Sequence, residues 1–359
     1  MGGRPDSRGV VATASYEARR SGVHSGMPLR TAQRLCPRAV FLEGNFARYR
    51  EASHRFMDIL AGFSPYLEPG GLDEACLETT GFESLHGTQR RMARAIKDKV
   101  KGELGLNVTI GIAPCKVVAK VASKKAKPDG LLEVLPGEEA AFLAPLPLGD
   151  LPGAGRKTTQ VLAAFGIATI GDLARAPDGL LKDRLGHYGL WLRELARGCD
   201  DRPVEAPGSA KSLSRETTFE RDTRDEAYLE ATLRYLAEAV GERLRRHGMK
   251  ARCVSLKLRY ADFTTLSRQA TLPAPADGNE LIFTTGLKLL RGALGASKLP
   301  VRLLGIGVSA FQEKGQQFSL FDQAAAREAK LDEAIDRIRR KYGFTAIQTG
   351  RTLALKDIR

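Results

Sequence analysis

The stretch Leu151-Pro152-Gly153-Ala154-Gly155-Arg156-Lys157-Thr158 is the most specific pattern in this sequence. An apolar-periodic run through Leu162 and Ile167 follows it, and this order predicts a helix-hairpin-helix. The two glycines would let backbone N–H groups approach a phosphate closely, which makes Gly153, Gly155 and Lys157 predicted contacts to a nucleic acid. A tight hairpin made only for packing is the alternative.

Segments rich in proline and glycine on both sides of this motif divide the chain. Helical and strand patterns alternate before it, which predicts an α/β sandwich layered on one sheet, and a further α/β domain follows it. The fold class is therefore α/β and multidomain. The predicted limits are 1–45, 46–136, 137–203, a linker at 204–210, 211–314 and 315–359.

Periodicity predicts several individual elements. Apolar residues recur at helical spacing from Phe46 to Phe63, and again at Met92, Ile96 and Val100. The segment from Tyr66 to Glu78 is typical of two strands joined by a turn at Gly70 and Gly71. Val10–Thr13 is predicted to be the end of a strand, and further strands are predicted at Val108–Ile112 and at Leu131–Val134.

The composition indicates a globular protein with a polyanionic partner. The net charge is +14, and Lys or Arg groups set on phosphates release condensed counterions, although a generally basic enzyme would share this charge. No apolar run reaches the roughly 18 residues of a membrane span. Because the five cysteines are scattered and never form CxxC, the sequence predicts reduced thiols in the cytoplasm and no zinc site.

Asp73 and Glu74 are the candidate metal ligands. They are adjacent carboxylates that directly follow the predicted glycine turn. Mg²⁺ binds carboxylate oxygens together with substrate phosphates, and two such ions about 3.5–4 Å apart can hold the attacking and leaving oxygens of a displacement. An exposed acidic turn is the alternative.

Thr13, Tyr16 and Arg19 recur at a spacing of three, which predicts one face of a helix just after a strand end. A hydroxyl, a phenol and a guanidinium there suit a triphosphate, since Arg binds phosphate through two hydrogen bonds and helix N-termini attract anions. An ordinary solvated helix start is the alternative.

Lys116, Lys120, Lys124 and Lys127 line one face of another predicted helix, while the valines between them turn to the core. Like charges four residues apart destabilise a helix slightly. We therefore expect an anionic ligand on this face, with a merely solvated face as the alternative.

The stretch 243–268 holds eight basic residues against one acid, Asp262. Lys257 and Arg259 alternate with apolar neighbours, so both are predicted to face one side of a sheet. Together with Arg252 they would bind nucleic-acid phosphates in a salt-dependent way. A solvated sheet face is the alternative.

The segment Gln317-Phe318-Ser319-Leu320-Phe321 combines apolar residues with Gln-rich surroundings. This pattern indicates a short peptide that docks its Phe and Leu side chains in the pocket of a partner protein.

In this order, the motifs resemble the Y-family DNA polymerases over nearly the whole chain. The resemblance to the fingers of that family lies in residues 9–19 and 25–28. The resemblance to its second catalytic motif lies in residues 72–75, and the resemblance to its palm helix lies in residues 111–130. The hairpin at 152–158 resembles the thumb, Lys211–Ser214 with Thr218–Phe219 the start of the little finger, and 317–321 the motif that binds the sliding clamp. The resemblance implies a right-hand fold of palm, fingers, thumb and little finger.

The resemblance also implies an activity, namely template-directed DNA synthesis of the error-prone translesion type, in DNA repair and the SOS response. Asp73 would ligate two Mg²⁺ ions, and Glu74 would complete the site and assist the primer 3′-hydroxyl. The protein would be a cytoplasmic monomer that binds the sliding clamp through Gln317, Phe318, Leu320 and Phe321. Thr13, Tyr16, Arg19 and Lys127 would hold the deoxynucleoside triphosphate, and primer–template DNA would contact Lys116, Lys120, Gly153, Gly155, Lys157, Lys211, Ser212, Arg252, Lys257 and Arg259.

The sequence departs from the family pattern at three points. The family has an opening strand with another metal-binding Asp and nearby aromatics before the fingers, and Asp6 does not replace it. Gly71 stands where Ser is usual, and Cys76 where an aromatic is usual. We therefore expect weak primer extension, or none, from the chain as printed. Two alternatives stay open: a clamp-tethered DNA-binding remnant without activity, and another hairpin-containing DNA enzyme such as a glycosylase.

Overall fold

The computed structural model describes residues 2–5, 7–206, 208–313, 323–353 and 355. The chain divides into two compact units. The first unit combines Met1–Gly44 with Ser209–Arg359, and the second unit is Asn45–Gly208.

Both units contain helices and strands. The α-helices are α1 (Tyr16–Arg20), α2 (Leu29–Leu35), α3 (Phe46–Ala61), α4 (Glu83–His86), α5 (Gln89–Leu104), α6 (Lys116–Lys125), α7 (Glu139–Leu143), α8 (Arg156–Ala163), α9 (Ile170–Arg175), α10 (Asp178–Leu185), α11 (His187–Ala196), α12 (Glu226–Arg246), α13 (Asn279–Ala296) and α14 (Gln323–Tyr342). The strands are β1 (Leu67–Pro69), β2 (Ala75–Leu77), β3 (Ile110–Ile112), β4 (Leu131–Glu133), β5 (Ser212–Thr223), β6 (Met249–Tyr260), β7 (Thr265–Ala276) and β8 (Val301–Glu313).

Helices α3 and α5 of the second unit confirm the two helices predicted from apolar spacing. Asn45 and Thr88 cap their N-termini, because each side-chain oxygen accepts a hydrogen bond from a backbone N–H in the first turn. The apolar faces pack together in one core around Ile59, Met92 and Val100. Residues from β1, β2 and β3 pack against the same core.

The prediction of one sheet for residues 46–135 was wrong. Strands β1 and β2 form an antiparallel hairpin, and β3 and β4 form a separate parallel pair joined through α6. Each of the four strands is three residues long. Side-chain alternation fixes which face of a strand is buried, but it carries no information about which other strand is its hydrogen-bonding neighbour.

The helical region predicted at 138–200 is confirmed by α7 to α11. Its core extends without a break into α6, since Val118 and Val121 pack in one apolar cluster with Leu162, Leu173 and Leu192. Helix α6 therefore belongs to the same packed body as the hairpin motif that follows it.

The first unit contains a four-stranded antiparallel sheet in the order β5-β8-β6-β7. Helices α12 and α13 cover one face, and their apolar residues form one core with alternate residues of the strands. Helix α14 packs against α12 and α13 through charged side chains, among them Arg245 with Asp336 and Arg339 with Glu238. The other face of the sheet carries the more exposed members of each alternation.

The segment Met1–Gly44 has a small core of its own, built from Val11, Val23, Met27, Leu29 and Ala32. The strand predicted at 10–13 is not formed in the described residues: Val10 makes a single bridge to Pro28. None of the helices in the described part of the chain combines the length and the apolar character needed to span a bilayer.

Candidate functional site

Asp73 and Glu74 lie in the connection between β1 and β2, as predicted. The backbone N–H of Gly70 donates to the carbonyl oxygen of Glu74 over 2.8 Å, which closes the turn. Both acidic side chains are exposed. Glu74 Oε2 lies 2.7 Å from Lys120 Nζ of α6, so the hairpin tip and this helix meet in an ion pair.

The lysines of α6 are paired with carboxylates of the protein itself. Besides Lys120, Lys116 contacts Glu68 over 2.7 Å, and Lys124 and Lys125 contact Asp150 over 2.6 and 2.8 Å. The expectation of an external anion rested on repulsion along this stripe, and that repulsion is relieved within the unit. The sequence did not predict these ion pairs, because the carboxylates are distant in sequence and leave no local pattern, and an anionic ligand on this face stays a prediction.

Lys116 has a second partner. Its Nζ donates to the carbonyl oxygen of Pro203 over 2.7 Å, and only 16% of its side chain is exposed. The backbone N–H of Glu205 donates to the same carboxylate, Glu68, over 3.1 Å. The hydrogen bond from Lys116 and that from Glu205 lower the pKa of Glu68 below its ordinary value. Lys116 thus fastens the segment after α11 to β1, and its contact with DNA stays a prediction.

Two carboxylates at an exposed hairpin tip fit Mg²⁺ that is shared with a substrate phosphate, since this ion is usually held by one or two carboxylates together with phosphates. Within the described residues, no three His, Cys, Asp or Glu side chains converge into a closed metal cage. The donor set is therefore suited to a cation that arrives with its substrate. Lys127 is exposed just beyond the end of α6, in the same unit.

The helix-hairpin-helix motif has the glycine geometry predicted for it. Gly153 has φ +96°, a left-handed conformation that side chains rarely adopt, and its carbonyl oxygen accepts a hydrogen bond from Tyr188 over 2.8 Å. Gly155 is the N-cap of α8, and a Cβ placed there would meet nothing within 4 Å. The N–H groups at the start of α8 are therefore accessible, with exposed Lys157 beside them.

Thr13, Tyr16 and Arg19 belong to the first unit. The expected helix face was wrong for Thr13, because α1 begins at Tyr16 after Ser15, whose Oγ accepts from the Ala18 N–H. A capping hydroxyl favours a helix start at that point, so Thr13 precedes the helix. Tyr16 is about half exposed, and Arg19 Nε donates to the carbonyl oxygen of Ala14 over 3.1 Å.

Lys257 and Arg259 face one side of the sheet in the first unit, which confirms the alternation prediction. Lys257 Nζ pairs with Glu216 of β5 over 2.7 Å, and Arg259 Nε donates to Thr265 over 3.0 Å. Arg252 is exposed where the register between β6 and β7 shifts. Gly305 and Gly307 of β8 lie opposite Lys257 and Ser255 of β6, so β8 adds no side chain to the face at these two positions.

The remaining predicted residues are placed as follows. Lys211 and Ser212 are exposed at the start of β5. Asp6 and the peptide Gln317–Phe321 lie outside the described residues. All five cysteines are free thiols. Sequence reasoning missed Glu68, Asp150 and Glu216, the acidic partners of the basic faces, because no spacing rule links residues this far apart.

Comparison with known proteins agrees with the motif order. Residues 2–124 match the impB/mucB/samB family, 210–320 match its C-terminal domain, and 136–167 match the helix-hairpin-helix motif of the same family. A DNA polymerase IV of Dehalococcoides mccartyi is 55% identical over 358 residues, which is 100% of this chain and 92% of that protein. A DNA polymerase IV of Desulfatibacillum aliphaticivorans is 41% identical over 96% of this chain and 88% of that protein.

The solved structures that this chain resembles are likewise DNA polymerases. A Y-family DNA polymerase chimera built on Dbh matches with a TM-score of 0.76 and 29% identity, over 86% of this chain and 89% of that one. An insertion ternary complex of Dbh DNA polymerase matches with a TM-score of 0.57 and 28% identity, over the same shares.

Proposed function

The chain belongs to the impB/mucB/samB family of Y-family DNA polymerases, and from this membership we propose that it adds deoxynucleotides to a primer end opposite damaged DNA template. Identity of 55% to a DNA polymerase IV along the whole chain carries this proposal. The family favours a polymerase over a DNA-binding remnant without activity, and also over a glycosylase. The chain is thus a DNA-directed DNA polymerase that binds primer–template DNA and deoxynucleoside triphosphates.

Asp73 and Glu74 are the proposed catalytic carboxylates, and two Mg²⁺ ions are the proposed cofactor. When bound, these ions would neutralise phosphate charge and hold the attacking and leaving oxygens. Glu74 pairs with Lys120 in the structure and is also a proposed Mg²⁺ ligand. Binding of a cation by Glu74 would release the Lys120 ammonium, which could then contact a phosphate. This exchange supports Lys120 as a DNA contact.

Thr13, Tyr16, Arg19 and Lys127 are the proposed nucleotide contacts. An exposed phenol and two cationic side chains would orient the triphosphate and offset the negative charge that develops on its oxygens during transfer. Their chemistry supports these roles, since Arg and Lys are the usual phosphate partners.

Two surfaces are proposed to hold the duplex. The hairpin at Gly153, Gly155 and Lys157 offers backbone N–H groups to a phosphate, which supports binding that is independent of base sequence. The open sheet face with Arg252, Lys257 and Arg259, together with the nearby Lys211 and Ser212, offers positive charge over a broad area.

Finer features of the function are proposals that rest on sequence. The peptide Gln317–Phe321 would bind the sliding clamp, because its Phe and Leu side chains suit an apolar pocket. Free thiols support work in a reducing cytoplasm. We also propose that the protein acts as a monomer, and that damage bypass places it in the SOS response.

Single-nucleotide primer extension with Mg²⁺ tests the proposal. The assay uses the chain as printed and the same chain joined to the opening Asp-bearing strand that the family resemblance implies. We expect the joined chain to add the nucleotide complementary to the template, and the chain as printed to add it weakly or not at all. Asp73→Ala in the joined chain should lose about 10²-fold or more, since misplacing reacting groups by about 1 Å already has an effect of that order. Asp98→Ala, which removes an exposed carboxylate from α5, is the matched control. Incorporation that ignores the template, or full activity of Asp73→Ala, would contradict the assignment.

A further inference from the structure

The turn between β6 and β7 holds a phenylalanine in a conformation that favours glycine. Phe263 has φ +67°, and its N–H donates to the Tyr260 carbonyl oxygen over 3.0 Å. The Tyr260 N–H donates to the Thr264 carbonyl oxygen over 2.9 Å, and Asp262 accepts from the Thr264 N–H over 2.9 Å. These bonds fix the turn around Phe263. Bulky residues rarely occupy this region of φ, and backbone strain of this kind is concentrated at functional sites.

The Phe263 ring is exposed and lies beside a cation. Phe263 is 63% exposed, and the guanidinium carbon of Arg302 lies 4.6 Å from the ring centroid. Arg302 Nη1 is also 3.8 Å from Asp222, which keeps the guanidinium near the ring. The result is a flat aromatic surface reinforced by a positive charge.

This aromatic surface lies at one end of the sheet. Thr265 follows the turn directly and bonds to Arg259, so the proposed DNA-binding face reaches up to Phe263. At the same end Asp222 accepts a hydrogen bond from Arg8, and Arg8 also donates to the Phe219 carbonyl oxygen over 3.2 Å. The segment Met1–Gly44, which carries the proposed nucleotide contacts, therefore touches the sheet beside Phe263 and Arg302.

We propose that Phe263 and Arg302 form a stacking site for an unpaired base of single-stranded template DNA. The inference rests on the proposed function, which supplies a template strand. Aromatic rings and Arg guanidinium groups bind single strands by stacking, and they accept any base because every base has a flat face. Paired bases of a duplex are already stacked on their neighbours, so the unpaired template is the part of the substrate that can use this surface.

Fluorescence anisotropy on the full chain tests the proposal with three DNAs of equal duplex length. One has a short 5′ template overhang, one has the same overhang with abasic sites, and one is blunt. We expect the parent to prefer the overhang with bases over the abasic overhang, because stacking contributes roughly fivefold to 150-fold in affinity per base. The abasic overhang accounts for the added phosphates.

Phe263→Gly should abolish this preference while keeping the affinity for blunt duplex. Since glycine accepts the turn conformation, the midpoint of thermal unfolding should not fall. Phe263→Trp should keep the preference. Tyr342→Ala is the matched control, because this tyrosine of α14 is 65% exposed and also has a cation, Lys341, 5.0 Å from its ring.

Three outcomes would overturn the stacking site: a parent that binds both overhangs equally, a Phe263→Gly variant that keeps the preference, or one that is destabilised and weakened equally toward all three DNAs. A parent that binds none of the three DNAs would instead contradict the proposed function itself.

Discussion

Gly153 shows how one residue fixes the geometry of the hairpin motif. A Cβ at this position would lie 3.0 Å from Leu192 Cδ2 and 3.1 Å from the Tyr188 hydroxyl, in addition to the strain of φ +96°. We predict that Gly153→Ala lowers the free energy of unfolding by about 1–3 kcal/mol. Gly155→Ala is the control, since its φ is −68° and its Cβ meets nothing within 4 Å. Urea unfolding should place the control within about 0.5 kcal/mol of the parent, and equal effects of the two changes would contradict the argument.

Asp200 is a residue whose charge stabilises the second unit. Its carboxylate accepts hydrogen bonds from the Val117 N–H over 3.1 Å and from Arg202 over 2.6 and 2.8 Å. Burial alone would raise the pKa of Asp200, but the hydrogen bonds from Arg202 and its positive charge outweigh it, so the pKa lies below the ordinary 3.8. The carboxylate therefore contributes stability above pH 3.8 that is lost as the pH falls through the lowered native pKa.

A pH-dependent comparison of Asp200→Asn with the parent follows from this. At pH 7 the variant should be less stable by about 1.5–3 kcal/mol, the range for a hydrogen bond to a charged group. The difference should shrink in acid, once native Asp200 is protonated as well. Urea unfolding across the acid range measures it, and a difference that stays constant with pH would show that the charge of Asp200 is not responsible.

At the scale of elements, buried ion pairs attach α14 to α12 within the first unit. Arg339 Nη2 lies 2.6 Å from Glu238 of α12, and their side chains are 3% and 4% exposed. Of the two ion pairs that Glu238 makes within the described residues, Arg339→Met would leave the one with Arg234. We predict a loss of about 1.5–3 kcal/mol in the free energy of unfolding, the range for a hydrogen bond to a charged group, because the buried Glu238 would lose one of its two cationic partners.

The matched control for this prediction lies on the same helix. Arg337 is exposed, so Arg337→Met should change the free energy of unfolding by less than about 0.5 kcal/mol. Thermal or urea unfolding compares the two variants. If Arg339→Met were as stable as Arg337→Met, α14 would be held by its apolar contacts and not by its charges.

Helices were the elements that the sequence predicted best, because their periodicity is local. The faces of α3 and α5 follow from apolar spacing alone, and the glycine turn located the β1–β2 hairpin. Strand pairing was not predictable, since it joins residues that no short window contains. The start of α1 was missed for a smaller reason: a spacing of three residues suits a helix, but the Ser15 cap sets its first residue.

The candidate site residues divide in the same way, into those marked by a local sequence pattern and those brought together by folding. The sequence could place Asp73, Glu74 and the hairpin glycines at turns, because local residues mark those turns; their roles stay predictions. The partners of the lysines were not found, since Glu68 and Asp150 are brought to α6 by folding. A stripe of lysines on a helix is therefore compatible with ion pairs inside the protein as well as with an external anionic ligand.

At the scale of the whole molecule, the basic residues that produce the net charge of +14 are not equally able to bind DNA phosphates. In the second unit, four lysines of α6 are already paired with carboxylates. In the first unit, Arg252 is exposed and Arg259 bonds to a neutral hydroxyl. We therefore expect the sheet face to release more counterions on binding than α6 does.

The last prediction concerns the salt dependence of binding to primer–template DNA. Each phosphate contact adds about 0.9 to the slope of log affinity against log salt, so changing Arg252, Lys257 and Arg259 to Gln should flatten the slope by up to about 2.7. The change should fall short of this limit, because Lys257 already shares its charge with Glu216. Lys330, Arg337 and Arg340 of α14, changed to Gln together, remove the same charge from exposed positions on the helical side and should flatten the slope much less. Equal slopes for the two triple variants, measured by anisotropy titrations at several salt concentrations, would mean that net charge alone drives binding and that the sheet face is not the surface that DNA contacts.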